Sequence, residues 1–415
     1  MAAVLLLLTA CGGHRHGREA DVAAPEDSAA FTAVDVYLER SGSMVAYDTP
    51  GGRGELKAAV NNIINAAPSA DSVSIAIVND SVWPYAGTIA SFLQDRDIYG
   101  STAGVGNAAY TDFQLIFTTL LERLHPGHVS VLVSDLIYSP RGTDGLSLDK
   151  LFNEATGITH AAFNGRVDID VVVHKMTGDY HGRYYPAMGG AFDYHGTRPF
   201  YIMVIAHRAT LAAIEAIGGT TAAALLAPRG AQGTYRFNRP TVDVDPVILP
   251  RHESNTGRWR IARGDGLALS GCQPDEATGN LTFTVAANLS NTGLDSIATL
   301  DAANYEVKST GGFTLQVTPV TDDMITGNNH RYLEGRTHLL TLSGSPTAGA
   351  DRVVITLPDV MPQWVAASSA EADAASSLPR FADTTMGLEP LLQGIYNAFH
   401  PRGATPLVTL TIDLR

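Results

Sequence analysis

The residues best suited to chemistry come early in the chain. Glu39-Arg40-Ser41-Gly42-Ser43-Met44 closes the first apolar run, Val34-Asp35-Val36-Tyr37-Leu38. It offers a carboxylate and two hydroxyls at alternate positions. In an extended turn Ser41 and Ser43 project to the same side, so both hydroxyls can reach one ion. A hard divalent cation takes oxygen ligands in near-octahedral array and keeps some waters. Other chemistries find less support. No Gly-x-Ser-x-Gly elbow, His-Glu-x-x-His pair or cysteine-based zinc set occurs. A phosphohydrolase of the haloacid dehalogenase type needs two aspartates flanking one residue after the first strand, and Asp35 and Glu39 are misplaced for that. His125, His128, His174 and His181 all fall near predicted strand ends, so a hydrolytic triad assembled across loops stays open as an alternative.

The elements that must position these residues are legible as periodicity. Val34–Leu38, Val73–Val78, Val129–Val133, Ile169–Val173 and Phe200–Ile205 read as strands rich in β-branched or aromatic residues. Leu56, Val60, Ile63, Ile64 and Ala67 recur at helical spacing, as do Phe113, Phe117, Leu120, Leu121 and Leu124, and more weakly Leu211, Ile214 and Ile217. Such alternation predicts an α/β unit over 31–228, a doubly wound, mostly parallel sheet with helices on both faces. Ligands of these sheets bind at the carboxyl ends of the strands. The stretch from His174 to Tyr185 is expected to be a polar loop, its aromatic, His and Arg side chains either lining a ligand surface or packing on the domain.

Glu39-x-Ser41-x-Ser43 resembles Asp-x-Ser-x-Ser, the first segment of the metal-ion-dependent adhesion site of von Willebrand factor A domains. That resemblance spans about the first half of the chain and implies two further segments. A threonine before a helix is matched by Thr111, ahead of Asp112 and the Phe113–Leu124 pattern. An aspartate after a later strand is matched by Asp135 in Val133-Ser134-Asp135. The implied metal set is therefore Glu39, Ser41, Ser43, Thr111 and Asp135, binding Mg²⁺ (or Ca²⁺ or Mn²⁺). Neutral hydroxyls leave such a cation electrophilic, and in the family that draws a carboxylate from a protein or peptide partner. Glu39 departs from the family's aspartate. Its extra methylene suits Ca²⁺ better than Mg²⁺ unless a water intervenes. The implied role is binding, not turnover.

At the amino terminus, Val4 to Leu8 is a short apolar run followed by Thr9-Ala10-Cys11-Gly12. Leu8-Thr9-Ala10-Cys11 resembles the bacterial lipobox. Residues 1–11 are then a lipoprotein signal, Cys11 the lipidated residue, and 12–30 a Gly-, Ala- and His-containing tether. The implied location is a membrane anchor in the cell envelope, at the outer membrane on its periplasmic or surface face.

Beyond Pro228 the period changes to two. Leu281 to Leu289, Phe313 to Val317 and Val408 to Leu414 alternate, which predicts an antiparallel β-sandwich-like domain over 229–415 with one helix, Leu388–Phe399. Arg263-Gly264-Asp265 in this half reads as a turn rather than an adhesion tripeptide. A chain of 415 residues suits two domains. Cys11 and Cys272 are its only cysteines, so no disulfide framework holds it. The net charge of -14, with no basic stripe, argues against nucleic acid as a partner.

Overall fold

The computed structural model describes residues 30–415 except 139, 143–145, 187–189, 265–266, 295, 347–350 and 376–378. The expected signal segment, Cys11 and nearly all of the tether lie outside the described residues, as does Asp265.

Strand-forming sequence alternates with helices through the first half. The strands are β1 (Ala33–Glu39), β2 (Val73–Val78), β3 (Val82–Pro84), β4 (His128–Ser134), β5 (Ile169–Tyr184), β6 (Phe192–His207) and β7 (Gly233–Phe237). They form one seven-stranded sheet in the order β3-β2-β1-β4-β6-β5-β7. Helices α1 (Glu55–Asn65), α2 (Phe113–Glu122), α3 (Leu148–Phe163), α4 (Arg208–Ile217) and α5 (Gly219–Leu225) connect them. The period of two sorts side chains to opposite faces. Val34, Val36 and Leu38 of β1 pack with Leu56, Val60, Ile63 and Ile64 of α1 and with Leu211 and Ile214 of α4. Tyr37, Leu132 and Met203 pack on the other face with Phe113, Phe117 and Leu120 of α2 and Leu151 of α3. Each fully buried aliphatic side chain stabilises the fold by about 1.5–3 kcal/mol.

The expected mostly parallel sheet is corrected to a mixed one. β1 pairs in parallel with β2 and with β4. The pairings β2–β3, β4–β6, β5–β6 and β5–β7 are antiparallel. The reason is local. β5 ends at Tyr184 and β6 begins at Phe192, a connection too short for a parallel crossover, so the pair is antiparallel. The expected loop from His174 to Tyr185 is also corrected, because β5 continues to Tyr184 and pairs along its whole length with β6. His174 itself is fully buried, bonded to Thr234 Oγ1 and the Leu225 carbonyl.

The second half contains β8 (Val247–Ile248), β9 (Arg258–Ile261), β10 (Ala268–Gln273), β11 (Leu281–Ala287), β12 (Glu306–Lys308), β13 (Thr314–Pro319), β14 (His338–Gly344) and β15 (Asp351–Pro358). The two-residue strands β16 (Ser369–Ala370) and β17 (Thr385–Met386), helix α6 (Leu388–Phe399) and strand β18 (Pro406–Leu414) follow. The sheets β12-β15-β18-β10-β9 and β13-β14-β11-β8 enclose one apolar cluster containing Phe283, Leu340, Val353 and Ile412. All their pairings are antiparallel except β10–β18.

The first sheet extends past Pro228, since β7 pairs with β5. Helix α6, expected within the second half, packs against α3 and shares the apolar cluster of α2. Thr156 and Thr159 of α3 donate to the carbonyls of Pro390 and Leu391 at 2.9 Å each. Gly394 makes that approach possible, because a Cβ there would lie 2.2 Å from the Thr156 carbonyl oxygen. In a free helix Gly394→Ala would gain about 1 kcal/mol from propensity. Against α3 it should instead destabilise the protein by about 1–3 kcal/mol through overpacking, measured by urea unfolding. A stabilised variant would mean α6 does not dock on α3.

Candidate functional site

The central strands β1 and β4 lie side by side, and the Leu38↔Val133 register brings Glu39 next to Ser134 at their carboxyl ends. β1 pairs in parallel with β2 on one side and with β4 on the other, and α1 and α2, which lead into those two neighbours, pack on opposite faces, so the chain's connections diverge at the carboxyl end of β1. The crevice at such a switch point is where ligands bind in these sheets. The five residues expected at a metal site all come to it. Glu39, Ser41, Ser43, Thr111 and Asp135 are all buried.

Their contacts form a connected set. The Thr111 hydroxyl donates to Glu39 Oε1 at 2.6 Å, and the Ser134 hydroxyl donates to Glu39 Oε2. The Ser41 and Ser43 hydroxyls lie 3.1 Å apart. Ser41 also acts on Glu39, and Ser43 on Asp135, each favouring the carboxylate form. Asp135 Oδ1 accepts from the Ile137 amide at 3.2 Å, while Oδ2 is buried with no hydrogen-bond partner.

The electrostatics are those of two buried acids near one another. Burial, with the Asp135 charge second, pushes the Glu39 carboxyl up to about 8. Burial also raises Asp135, opposed by the hydroxyl of Ser43, the Ile137 amide and the Arg198 guanidinium. Low-dielectric surroundings disfavour the charged form, and a second carboxylate nearby disfavours it further. Arg198, itself buried, is held by the Phe381 carbonyl and by the Tyr184 hydroxyl at 3.2 Å, with its guanidinium over the Phe381 ring at 4.1 Å. Tyr184 in turn donates to Asp373 Oδ2 at 2.7 Å.

Several positioning residues were not readable from the sequence pattern. Ser134 joins the two halves of the site, bonding Glu39 and receiving the Leu136 amide at 2.8 Å. Leu136, fully buried, sits at φ 55°, a left-handed conformation that costs a non-glycine residue of order 1 kcal/mol or more. Asn79, at the end of β2 and buried, donates to the Val105 carbonyl at 2.8 Å, and its own carbonyl receives the Asp112 amide at 2.9 Å. It thereby fixes the loop that delivers Thr111. Gly106, at φ 61°, passes so close to Asn79 that a Cβ would meet the Asn79 Oδ1 at 2.2 Å. Asp112 caps α2 by accepting from the Leu115 amide at 3.0 Å.

A cavity of about 640 Å³ opens over this set. Glu39, Ser41, Ser43 and Thr111 line it, with Arg40, His181 and Arg183 supplying nitrogen donors and Val45, Tyr110 and Tyr185 supplying apolar wall. His125 and His128 lie at the opposite, amino end of β4, with His128 Nδ1 3.0 Å from Asp35 Oδ2, and His174 is buried against Thr234 and Leu225, so of the four histidines of the triad alternative His181 is the one that borders the cavity. Among the described residues no group of three or more His, Cys, Asp or Glu side chains is placed to hold a metal, and the expected set instead combines two carboxylates with three hydroxyls.

Comparison of the chain with protein-family models, with curated proteins and with solved structures finds no match. The chemistry of this site therefore rests on its own geometry.

Removing the Ser134 hydroxyl strands a Glu39 oxygen and the Leu136 amide together. Ser134→Ala should cost about 1–3 kcal/mol of stability in urea unfolding. Ser41→Ala, whose hydroxyl faces the cavity, should cost under about 1 kcal/mol. Equal effects would mean that Ser134 does not organise the site.

Proposed function

We propose that the chain is a lipid-anchored protein of the bacterial cell envelope whose first sheet unit, a von Willebrand factor A-like frame, captures a carboxylate-bearing protein or peptide through a divalent cation. Glu39, Ser41, Ser43, Thr111 and Asp135 would hold that cation. The observation that carries the reading is the convergence of segments 39–43, 111 and 134–135 on one crevice, where Asp135 Oδ2 is buried without a partner. Burial raises both acids, and a dication bound between them would favour their carboxylate forms. The donor set is all oxygen, which suits Mg²⁺, Mn²⁺ or Ca²⁺ and not softer ions.

When bound, the cation supplies a Lewis-acidic position to which a ligand carboxylate is attracted. The chain's own residues do the rest. Ser41, Ser43 and Thr111 present neutral oxygens, so the local charge is not cancelled by the ligands. Glu39 has both oxygens engaged by the Thr111 and Ser134 hydroxyls, and its longer side chain spans the gap between β4 and the Thr111 loop. Arg40 and Arg183 at the cavity wall favour an approaching anion. Exposed Val45 and Tyr185 offer apolar contact beside it. Membrane attachment rests in this reading on lipid at Cys11; among the described residues no helix is long and apolar enough to cross a membrane.

Titrating the purified protein with Mg²⁺, Mn²⁺ and Ca²⁺ by calorimetry tests the reading. Binding should be weakened at least tenfold by Ser41→Ala and by Asp135→Ala, each remaining folded. Glu39→Asp should shift preference toward Mg²⁺ if the shorter carboxylate restores the family's ligand geometry. Cys11→Ala should release the protein from membranes with cation affinity unchanged. Equal cation binding by wild type and Asp135→Ala, or none by either, would leave a metal-free scaffold as the better reading.

A further inference from the structure

A second set of donors lies on the β5–β6 hairpin, independent of the oxygen set. The register places His181 directly opposite His195. Their Nδ1 atoms are 3.2 Å apart. The other nitrogen of His181, Nε2, lies 3.0 Å from Asp179 Oδ2. That same oxygen accepts the Arg53 amide at 3.2 Å, and the Asp179 amide donates to Glu55 Oε2 at 3.2 Å. The Asp179 side chain is 10% exposed and the His181 side chain 42%. A largely covered carboxylate, tied to the start of α1, thus holds an accessible imidazole.

The tautomer follows from donor counting. An ionised carboxylate only accepts, so the proton of a neutral His181 ring belongs on Nε2 and its lone pair on Nδ1. In the metal-free protein His195 Nδ1–H donates to that lone pair, and a cation bound there would displace this proton so that both Nδ1 atoms become ligands. Two imidazole nitrogens on one ion, each at about 2.0–2.1 Å, stand roughly 2.9–3.4 Å apart for octahedral to tetrahedral angles. The hydrogen-bonded pair at 3.2 Å already holds the nitrogens within that interval, so a cation replacing the shared proton needs a rotation of the exposed rings and no change of spacing. A carboxylate that takes the far N–H of a ligating histidine fixes its orientation and raises its basicity. Paired rungs of a hairpin also keep the two rings from drifting apart.

We propose that His181 and His195 chelate a transition-metal dication of the Zn²⁺ or Cu²⁺ class through Nδ1, with Asp179 orienting His181. Imidazole ligands favour these ions over Mg²⁺ or Ca²⁺, so this site and the oxygen set select different metals. Two protein ligands leave coordination positions for water or for a ligand group. Because His181 also lines the cavity over Ser41 and Thr111, those positions border the same space.

The test is Zn²⁺ titration of the full chain by calorimetry, in a His14→Ala/His16→Ala background that removes the two histidines of the amino-terminal segment. One equivalent should bind. His181→Ala and His195→Ala should each weaken binding at least tenfold, and Asp179→Ala by about 10–100-fold. His195→Gln, which keeps a polar side chain at an exposed rung, should lose affinity to the same extent with its thermal melt unchanged. Asp135→Ala should leave Zn²⁺ binding intact, which separates this site from the oxygen set. Zn²⁺ binding unaffected by His181→Ala and His195→Ala, or no binding in the background protein, would overturn the proposal.

Discussion

Two carboxylates, Glu39 and Asp135, end adjacent central strands and are withdrawn from water, and much of the surrounding structure exists to make that tolerable. A buried charge is costly unless hydrogen-bonded or paired. Thr111 and Ser134 satisfy the two oxygens of Glu39, and the Ile137 amide satisfies one of Asp135. The second Asp135 oxygen is buried without a hydrogen-bond partner. The left-handed Leu136 that follows is a strained residue kept in place by the same serine that bonds Glu39. Strain and a buried carboxylate oxygen without a hydrogen-bond partner in one crevice are the observations behind the proposed cation site.

Distant parts of the chain support this arrangement. Arg198, the guanidinium acting on Asp135, is buried within the β5–β6 hairpin by Tyr184 and Phe381, and Tyr184 is tied to Asp373. Asp373 and Phe381 therefore contact the hairpin that walls the cavity, and the chain after Phe381 continues through β17 into α6, docked on α3. The first sheet unit is completed by residues that lie in sequence between β15 and β18 of the β-rich half. Site geometry and carboxyl-terminal packing are thus coupled through covalent continuity and a buried cation.

The central strands and the helices flanking them were legible because period-two and period-3.6 burial each leave a clear apolar pattern, as in Val34-Val36-Leu38 and Leu56-Val60-Ile63. The candidate set was legible in order and placement, with Glu39, Ser41 and Ser43 closing one strand, Thr111 preceding a helix and Asp135 following another strand. Strand direction was not legible. Ile169–Val173 and Phe200–Ile205 are spaced as if a crossover helix joined them, and the alternation that reveals a hairpin, Tyr180 and Tyr184 against Asp179, His181 and Arg183, is broken by Gly178 and Gly182. Nor does any local pattern mark Ser134, Asn79 or Arg198 as positioning residues, since their partners lie on other strands and loops. The docking of α6 on α3 depends on a small residue, Gly394, facing two threonines more than two hundred positions earlier, a match visible only in three dimensions.

The central claim is that the Glu39–Asp135 pair is held in the crevice for a cation and not for the stability of the metal-free fold. Thermal unfolding of the Glu39→Gln/Asp135→Asn double variant, with and without Mg²⁺, measures this most directly. The account predicts that the metal-free variant melts at or above the wild-type temperature, because neutral amides remove the buried repulsion. It also predicts that Mg²⁺ raises the melting temperature of the wild type alone. A wild type indifferent to Mg²⁺, together with a double variant clearly less stable than it, would contradict the account.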